Sequence, residues 1–188
     1  TGSVIPPSAG VISGKNRETG EPFVNQVFLG FGGGAGSHAT DAWVTICHVG
    51  NAGMCYQDSI EIDEQVFPIF VKGRRFIPDS GGAGCHRGGA GMHVEYGPDG
   101  CDIEVGYVSN GTLNAAQGAC GGGAGGTAMQ YKVFASGESA QLDACAQVSL
   151  ANGETIVSVS AGGGGFGSPL DRPIGDVTGD VREGWVSK

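Results

Sequence analysis

Residues 79–91 set Asp79, His86 and Arg87 into a run of glycine and alanine, reading Asp-Ser-Gly-Gly-Ala-Gly-Cys-His-Arg-Gly-Gly-Ala-Gly. A guanidinium at Arg87 can clamp a carboxylate or phosphate through two parallel hydrogen bonds. An imidazole at His86 can shuttle a proton near neutral pH. Asp79 can join them in catalysis, or it can accept backbone N–H bonds and lock the turn with Arg87 paired to it. Glycine supplies positive φ and close backbone approach, so such a loop can hold a few polar groups against a ligand or a neighbouring subunit. A second glycine stretch, residues 162–173, reads Gly-Gly-Gly-Gly-Phe-Gly-Ser-Pro-Leu-Asp-Arg-Pro.

Other residues compete for a chemical role. Asp58, Glu61, Asp63 and Glu64 form an acidic run that offers general bases or cation ligands, or simply a solvated edge. Cys47-His48 and Cys85-His86, with Cys55 and His93, suggest a thiolate and imidazole metal site. Neighbours on a strand point to opposite faces, so each dipeptide gives at most one ligand, and the spacings match no zinc module. No metal site is assigned to this chain. Thr1 could act as a nucleophile with its own amine as base, though methionine removal or proteolysis would leave the same residue there. Gly-x-Gly-x-x-Gly occurs at 121–126 and 162–167, but it signals a dinucleotide only between a strand and a helix. The first match leads into a strand-like segment and the second into Ser-Pro. Glycine loops packed against neighbouring backbone are the reading taken for both.

Composition narrows the classes. Glycine supplies 38 of 188 residues without a collagen period, and aromatics are only 7%, so the core is built from small aliphatics. A net charge of −9 without a basic stripe excludes a nucleic-acid binder. No apolar run reaches the roughly 20 residues that a spanning helix needs, so no membrane partner is expected. The six cysteines read as free thiols in a cytoplasmic protein, with three disulfides in a secreted one as the alternative.

The elements that must position these residues read as mainly β. Residues 1–20 look like an extended arm, and residues 21–188 like one β-rich domain of antiparallel sheets, sandwich- or barrel-like, with glycine-rich loops. Strands are expected at 22–29, 41–49, 60–62 and 65–71. Gly97-Pro98-Asp99-Gly100, Asn110-Gly111 and Asn152-Gly153 are hairpin signals. Val177, Val181 and Trp185, four apart, predict a short C-terminal helix over 175–186.

The two glycine stretches, 78–91 and 162–173, and the closing Asp-Val-Arg-Glu-Gly-Trp-Val-Ser of 180–187 together resemble the hydantoinase B/oxoprolinase family, over about residues 30–187. The resemblance is to the C-terminal portion of the B-type subunit, and it extends to acetone and acetophenone carboxylase subunits. It implies a subunit of an ATP-dependent hydrolase of hydantoins, lactams or 5-oxoproline-like cyclic amides, inactive alone. A hydantoinase A-like partner would phosphorylate the carbonyl. A further chain would supply the N-terminal part of the B-type subunit. ATP and a divalent metal would be bound by those other chains. His86, Arg87 and Asp79 are the catalytic candidates here, and Asp41, His48 and Asp58 the substrate-binding ones. Around Asp41 the chain reads Asp-Ala-Trp-Val-Thr-Ile-Cys-His, where the hydantoin-cleaving branch is expected to carry His-Thr-His. That departure keeps an ATP-dependent ketone carboxylase subunit open as an alternative. A non-catalytic structural subunit is the other.

Overall fold

A computed structural model describes residues 7–43 and 57–187. Among them two antiparallel sheets enclose one core. The first sheet runs in the order β2 (Pro22–Gln26), β1 (Val11–Lys15), β5 (Ile103–Val108), β8 (Cys145–Leu150). The second runs β3 (Ile69–Phe76), β4 (Met92–Pro98), β9 (Thr155–Val159), β6 (Met129–Val133), β7 (Ser139–Gln141). Alternate residues of each strand point inward. Ile12 faces Val105, which faces Val148, and Ile103 faces Leu150. From the other sheet Val94, Tyr96, Ile156 and Ile69 meet them, and all are buried. Each such aliphatic contributes about 1.5–3 kcal/mol by leaving water. The expectation of mainly antiparallel β structure holds, as two open sheets and not a closed barrel.

Five local expectations need correction. Residues 11–15, expected within an extended arm, form the interior strand β1. One fully buried side chain, Ile12, suffices there because backbone pairing on both flanks holds the rest. Residues 60–62, expected as a strand, begin helix α1 (Ile60–Val66). Its first turn carries Glu61 and Asp63, which suits the positive end of a helix. Two expected hairpins are crossovers between sheets. The turn at 97–100 leads from β4 to β5, and that at 152–153 from β8 to β9, and neither pair is hydrogen-bonded. Gly100 and Gly153 do take positive φ, so the chain reverses as the turn residues require. Turn chemistry does not say which sheet receives the next strand. The two crossovers lock together, since Gly100 N–H donates to Asn152 Oδ1 at 3.1 Å and Asn152 N–H to Asp102 Oδ1 at 3.1 Å. The third signal, Asn110-Gly111, opens a long loop instead of pairing strands.

Beyond the sheets the glycine stretches pack against each other, backbone to backbone. Gly33 and Gly36 donate to the carbonyls of Ala161 and Gly164. Gly162 and Gly165 donate to Gly126 and Gly123, and these in turn donate to Ser80 and Ala83. Partners recur every third residue, the repeat of a polyproline II strand. The bundle gathers residues 33–36, 80–91 and 116–126, from distant parts of the chain, around residues 161–167. Its glycines serve close approach: a Cβ on Gly163 would overlap the Gly34 carbonyl, one on Gly162 the Ser80 carbonyl, and one on Gly88 the Gly163 carbonyl. None of these three has φ in the left-handed region.

The chain ends in helix α2 (Ile174–Glu183), close to the expected span. Gly184, at φ 78°, caps it by donating to Asp180 and Val181 carbonyls. No helix among the described residues is long and apolar enough to cross a membrane.

Candidate functional site

The site lies where α2 and the tail meet the glycine bundle. The bundle fixes the backbone of residues 80–91, and so fixes where His86 and Arg87 can point. His86 N–H donates to the Phe166 carbonyl at 3.0 Å and Phe166 N–H returns to His86 at 2.8 Å. Arg87 and Arg172 converge on Asp180. Arg87 Nε donates to Asp180 Oδ1 at 2.9 Å, and Arg172 donates to Asp180 Oδ2 from Nη2 at 2.7 Å and Nε at 3.1 Å. Arg172 also forks onto Asp41, from Nη1 to Oδ1 at 2.7 Å and Nη2 to Oδ2 at 2.8 Å, and reaches the Cys85 carbonyl at 2.9 Å. The Arg87 backbone N–H donates to Asp41 Oδ1 at 2.9 Å. His86 Nδ1 stands 3.8 Å from that same oxygen.

Two cations and two anions thus neutralise one another. The Arg172 side chain is 8% exposed and that of Asp180 10%, so little water screens them. Burial disfavours the charged form of Asp41, but the Arg172 hydrogen bonds and the Arg87 N–H outweigh it and hold its carboxyl below the ordinary carboxylate range. Asp41 is therefore an anion at neutral pH. Arg172 is held more firmly protonated than usual, first by its hydrogen bonds to Asp41.

Trp185 closes this region. Arg87 lies 5.1 Å from its ring centroid, and Phe76 meets it edge-on at 5.3 Å. Asp79, at φ 60°, binds the tail: its N–H donates to the Trp185 carbonyl at 3.0 Å, and its carboxylate accepts the Ser187 N–H at 2.9 Å. The hydrogen bonds from Ser187 hold the exposed Asp79 carboxyl below its ordinary pKa. Between tail, α2 and bundle lies a cleft of about 420 Å³, which Asp79, Arg87, Arg172, Asp180 and Trp185 help to line.

The structure brings Asp41, His86 and Arg87 together, with Asp79 at the rim. Asp58 lies apart from them. It accepts the Phe28 N–H at 2.6 Å on Oδ2, and its carbonyl accepts Arg74 at 2.9 Å. Beside it, burial and the Asp58 charge push Asp63 up to about 6, and Asp63 Oδ2 is buried without a hydrogen-bond partner. His48, with Cys47, Cys55 and Thr1, falls outside the described residues. Cys85, Cys101, Cys120 and Cys145 are free thiols. Among the described residues no three His, Cys, Asp or Glu side chains are placed to hold a metal ion. The Gly-x-Gly-x-x-Gly match at 121–126 precedes strand β6, and the one at 162–167 follows β9 without opening α2, which starts only at Ile174: both belong to the bundle.

Arg172, Asp180 and Trp185 were not singled out from the sequence as site residues. All three sit in the stretches that carry the family resemblance. A sequence signal was available: Asp180 falls three residues after Val177 and one before Val181, on the apolar stripe of α2. A carboxylate there needs a cation nearby, and Arg172 is close at hand in the chain.

Residues 3–169 match the family model described as hydantoinase B/oxoprolinase, and the chain belongs to that family. It is 30% identical over 178 residues to the caprolactamase subunit beta of Pseudomonas jessenii, an alignment covering 91% of this chain and 30% of that subunit. An uncharacterised protein of Methanocaldococcus jannaschii is 30% identical over 135 residues, covering 68% of this chain and 22% of its own length. The fold matches the crystal structure of the ATP-dependent caprolactamase of Pseudomonas jessenii with a TM-score of 0.81 at 23% identity, over 96% of this chain and 32% of that one. It matches a nucleotide-free acetone carboxylase with a TM-score of 0.76 at 20% identity, over 97% and 28%. The chain thus spans about a third or less of the length of these relatives.

Proposed function

We propose that this chain is part of a B-type subunit in an ATP-dependent cyclic amide hydrolase. It helps to form the pocket where a phosphate-activated carbonyl is hydrolysed. The observation that carries the reading is the placement of His86 beside the Asp41 anion, on a backbone platform without side-chain slack. The 30% identity to the caprolactamase subunit beta supports it.

A lactam carbonyl is a poor electrophile, and phosphorylation on oxygen gives it a good leaving group. A hydantoinase A-like partner would carry out that step with ATP, and a divalent metal held by other chains would supply Lewis-acid activation of water. The described residues offer no site that fits such a metal, so the role of this chain is proton handling and shape. His86 takes the proton of the attacking water, and Asp41 stabilises the imidazolium that forms. The adduct collapses with cleavage of its C–N bond, the ring nitrogen leaving as an amine that takes up both protons of that water, one of them by way of His86; a second water then hydrolyses the acyl phosphate left behind and releases phosphate. The complex, assembled in the cytoplasm, includes a chain bearing the N-terminal part of the B-type subunit.

The test is ATP-dependent ring opening of caprolactam, 5-oxoproline and hydantoin by the native complex, with and without His86→Gln. General acid–base catalysis contributes about 10²–10⁴-fold, so kcat should fall at least about 100-fold in an intact complex. Unchanged turnover with normal assembly would instead establish a structural subunit. The second reading, a ketone carboxylase subunit, is favoured by the missing His-Thr-His near Asp41. It predicts ATP-dependent fixation of labelled bicarbonate into acetone or acetophenone and no ring opening.

A further inference from the structure

We infer that Arg172 is a positioning residue for His86, acting through Asp41, and that Asp180 ties this arrangement to helix α2. The inference rests on the reading of His86 as the proton-transfer group. It assigns a role to two residues that touch no reacting atom.

Arg172 has its donors fully directed. Nη1 and Nη2 fork onto the two oxygens of Asp41, and Nη2 and Nε hold Asp180. A bidentate fork fixes the plane of a carboxylate as well as its distance. With Arg172 and the Arg87 N–H both on Oδ1, the oxygen nearest His86 Nδ1 cannot swing away. The Cys85 carbonyl, which accepts Arg172 Nη1, is the residue just before His86, so the same guanidinium also holds the backbone from which the imidazole hangs. Asp180 anchors the guanidinium from the far side, and through Arg87 Nε it holds the residue just after His86. His86 is thus bracketed along the chain by two contacts that trace back to one arginine and one aspartate.

Lysine at 172 keeps the charge but cannot fork. A misplacement of about 1 Å can cost up to about 100-fold in rate. In the native complex, Arg172→Lys should lower kcat about 10–100-fold and leave KM within about twofold. The deciding measurement is the cycle of Arg172→Lys, His86→Gln and the double variant, because residues acting as a unit are non-additive. If Arg172 works through His86, the double variant is no slower than His86→Gln alone. Multiplied losses would overturn the inference, and so would a kcat for Arg172→Lys within twofold of wild type. Urea unfolding of each variant checks the fold. If Arg172→Lys fails to assemble, Asp180→Asn, which keeps the side-chain shape, enters the same cycle with the same outcomes. Full activity in His86→Gln would sink the proton-transfer reading itself. A large loss there with multiplied losses in the double variant would sink only the positioning role.

Discussion

The two-sheet core and the glycine bundle are built on opposite packing rules. Between the sheets, side chains fill the space. Ile12, Val105, Ile156 and Leu150 interdigitate, and backbone groups are consumed in ladders along each sheet. In the bundle, backbone fills the space. Strands approach so closely that their carbonyls occupy the positions where Cβ atoms would go. A side-chain core adjusts to small changes by repacking rotamers. A backbone core has no rotamers, so it either fits or opens. That rigidity suits a platform holding Asp41, His86 and Arg87 in one arrangement.

The largest expected effect comes from adding one carbon to the bundle. Gly163→Ala must displace the Gly34 main chain, and overpacking costs about 1–3 kcal/mol even where side chains can give way. Here the loss should reach or exceed about 3 kcal/mol in urea unfolding, since only backbone can move. Removing one carbon from the sheets should cost much less: Ile156→Val is expected to lose about 0.5–1.5 kcal/mol. Equal costs for the two would erase the distinction between the regions.

A pH-dependent effect lies at the edge of the sheet core, in Asp63. Its folded-state pKa of about 6 lies above the unfolded value, so the folded chain keeps a proton that the unfolded chain has released. Its stabilising contribution is present below about pH 4, the ordinary value for aspartate, and is lost as pH rises through about 6. Asp63→Asn should therefore gain in urea midpoint over wild type at pH 7.5 relative to pH 4.5. A gap that is constant between the two pH values would contradict the protonated carboxyl.

Much of this architecture was legible in the residues. The turn signals at 97–100, 110–111 and 152–153, which flank β5 and precede β9, and the stripe of Val177, Val181 and Trp185 marked strands and a terminal helix that the fold contains. The turns at Gly100 and Gly153 were legible as reversals but not as crossovers, because strand partners are set by long-range packing that no local signal encodes. β1 was hidden because its main support is backbone pairing. The glycine stretches were visible as dense, and of the two expected reasons, positive φ and close backbone approach, the second governs most of the bundle. Gly121 and Gly167 take positive φ, whereas Gly162, Gly163 and Gly165 are needed for contact distance. Of the site, Asp41, His86 and Arg87 were legible by residue type. Arg172 and Asp180 carried a local signal for one another, but their joining to Asp41 and Arg87 required the fold, because 131 and 93 residues separate those partners.

Native-state hydrogen exchange, read amide by amide, tests the bundle most directly. The amides of Gly123, Gly126, Gly162 and Gly165 each donate to a carbonyl of a neighbouring strand. They should be protected to the same level as Val94 and Ile156 in the sheets, and should open only with the whole domain. Exchange at those four glycines as fast as at the exposed turn residue Gly137 would contradict a backbone-packed core, and with it the rigid platform on which the His86 site depends.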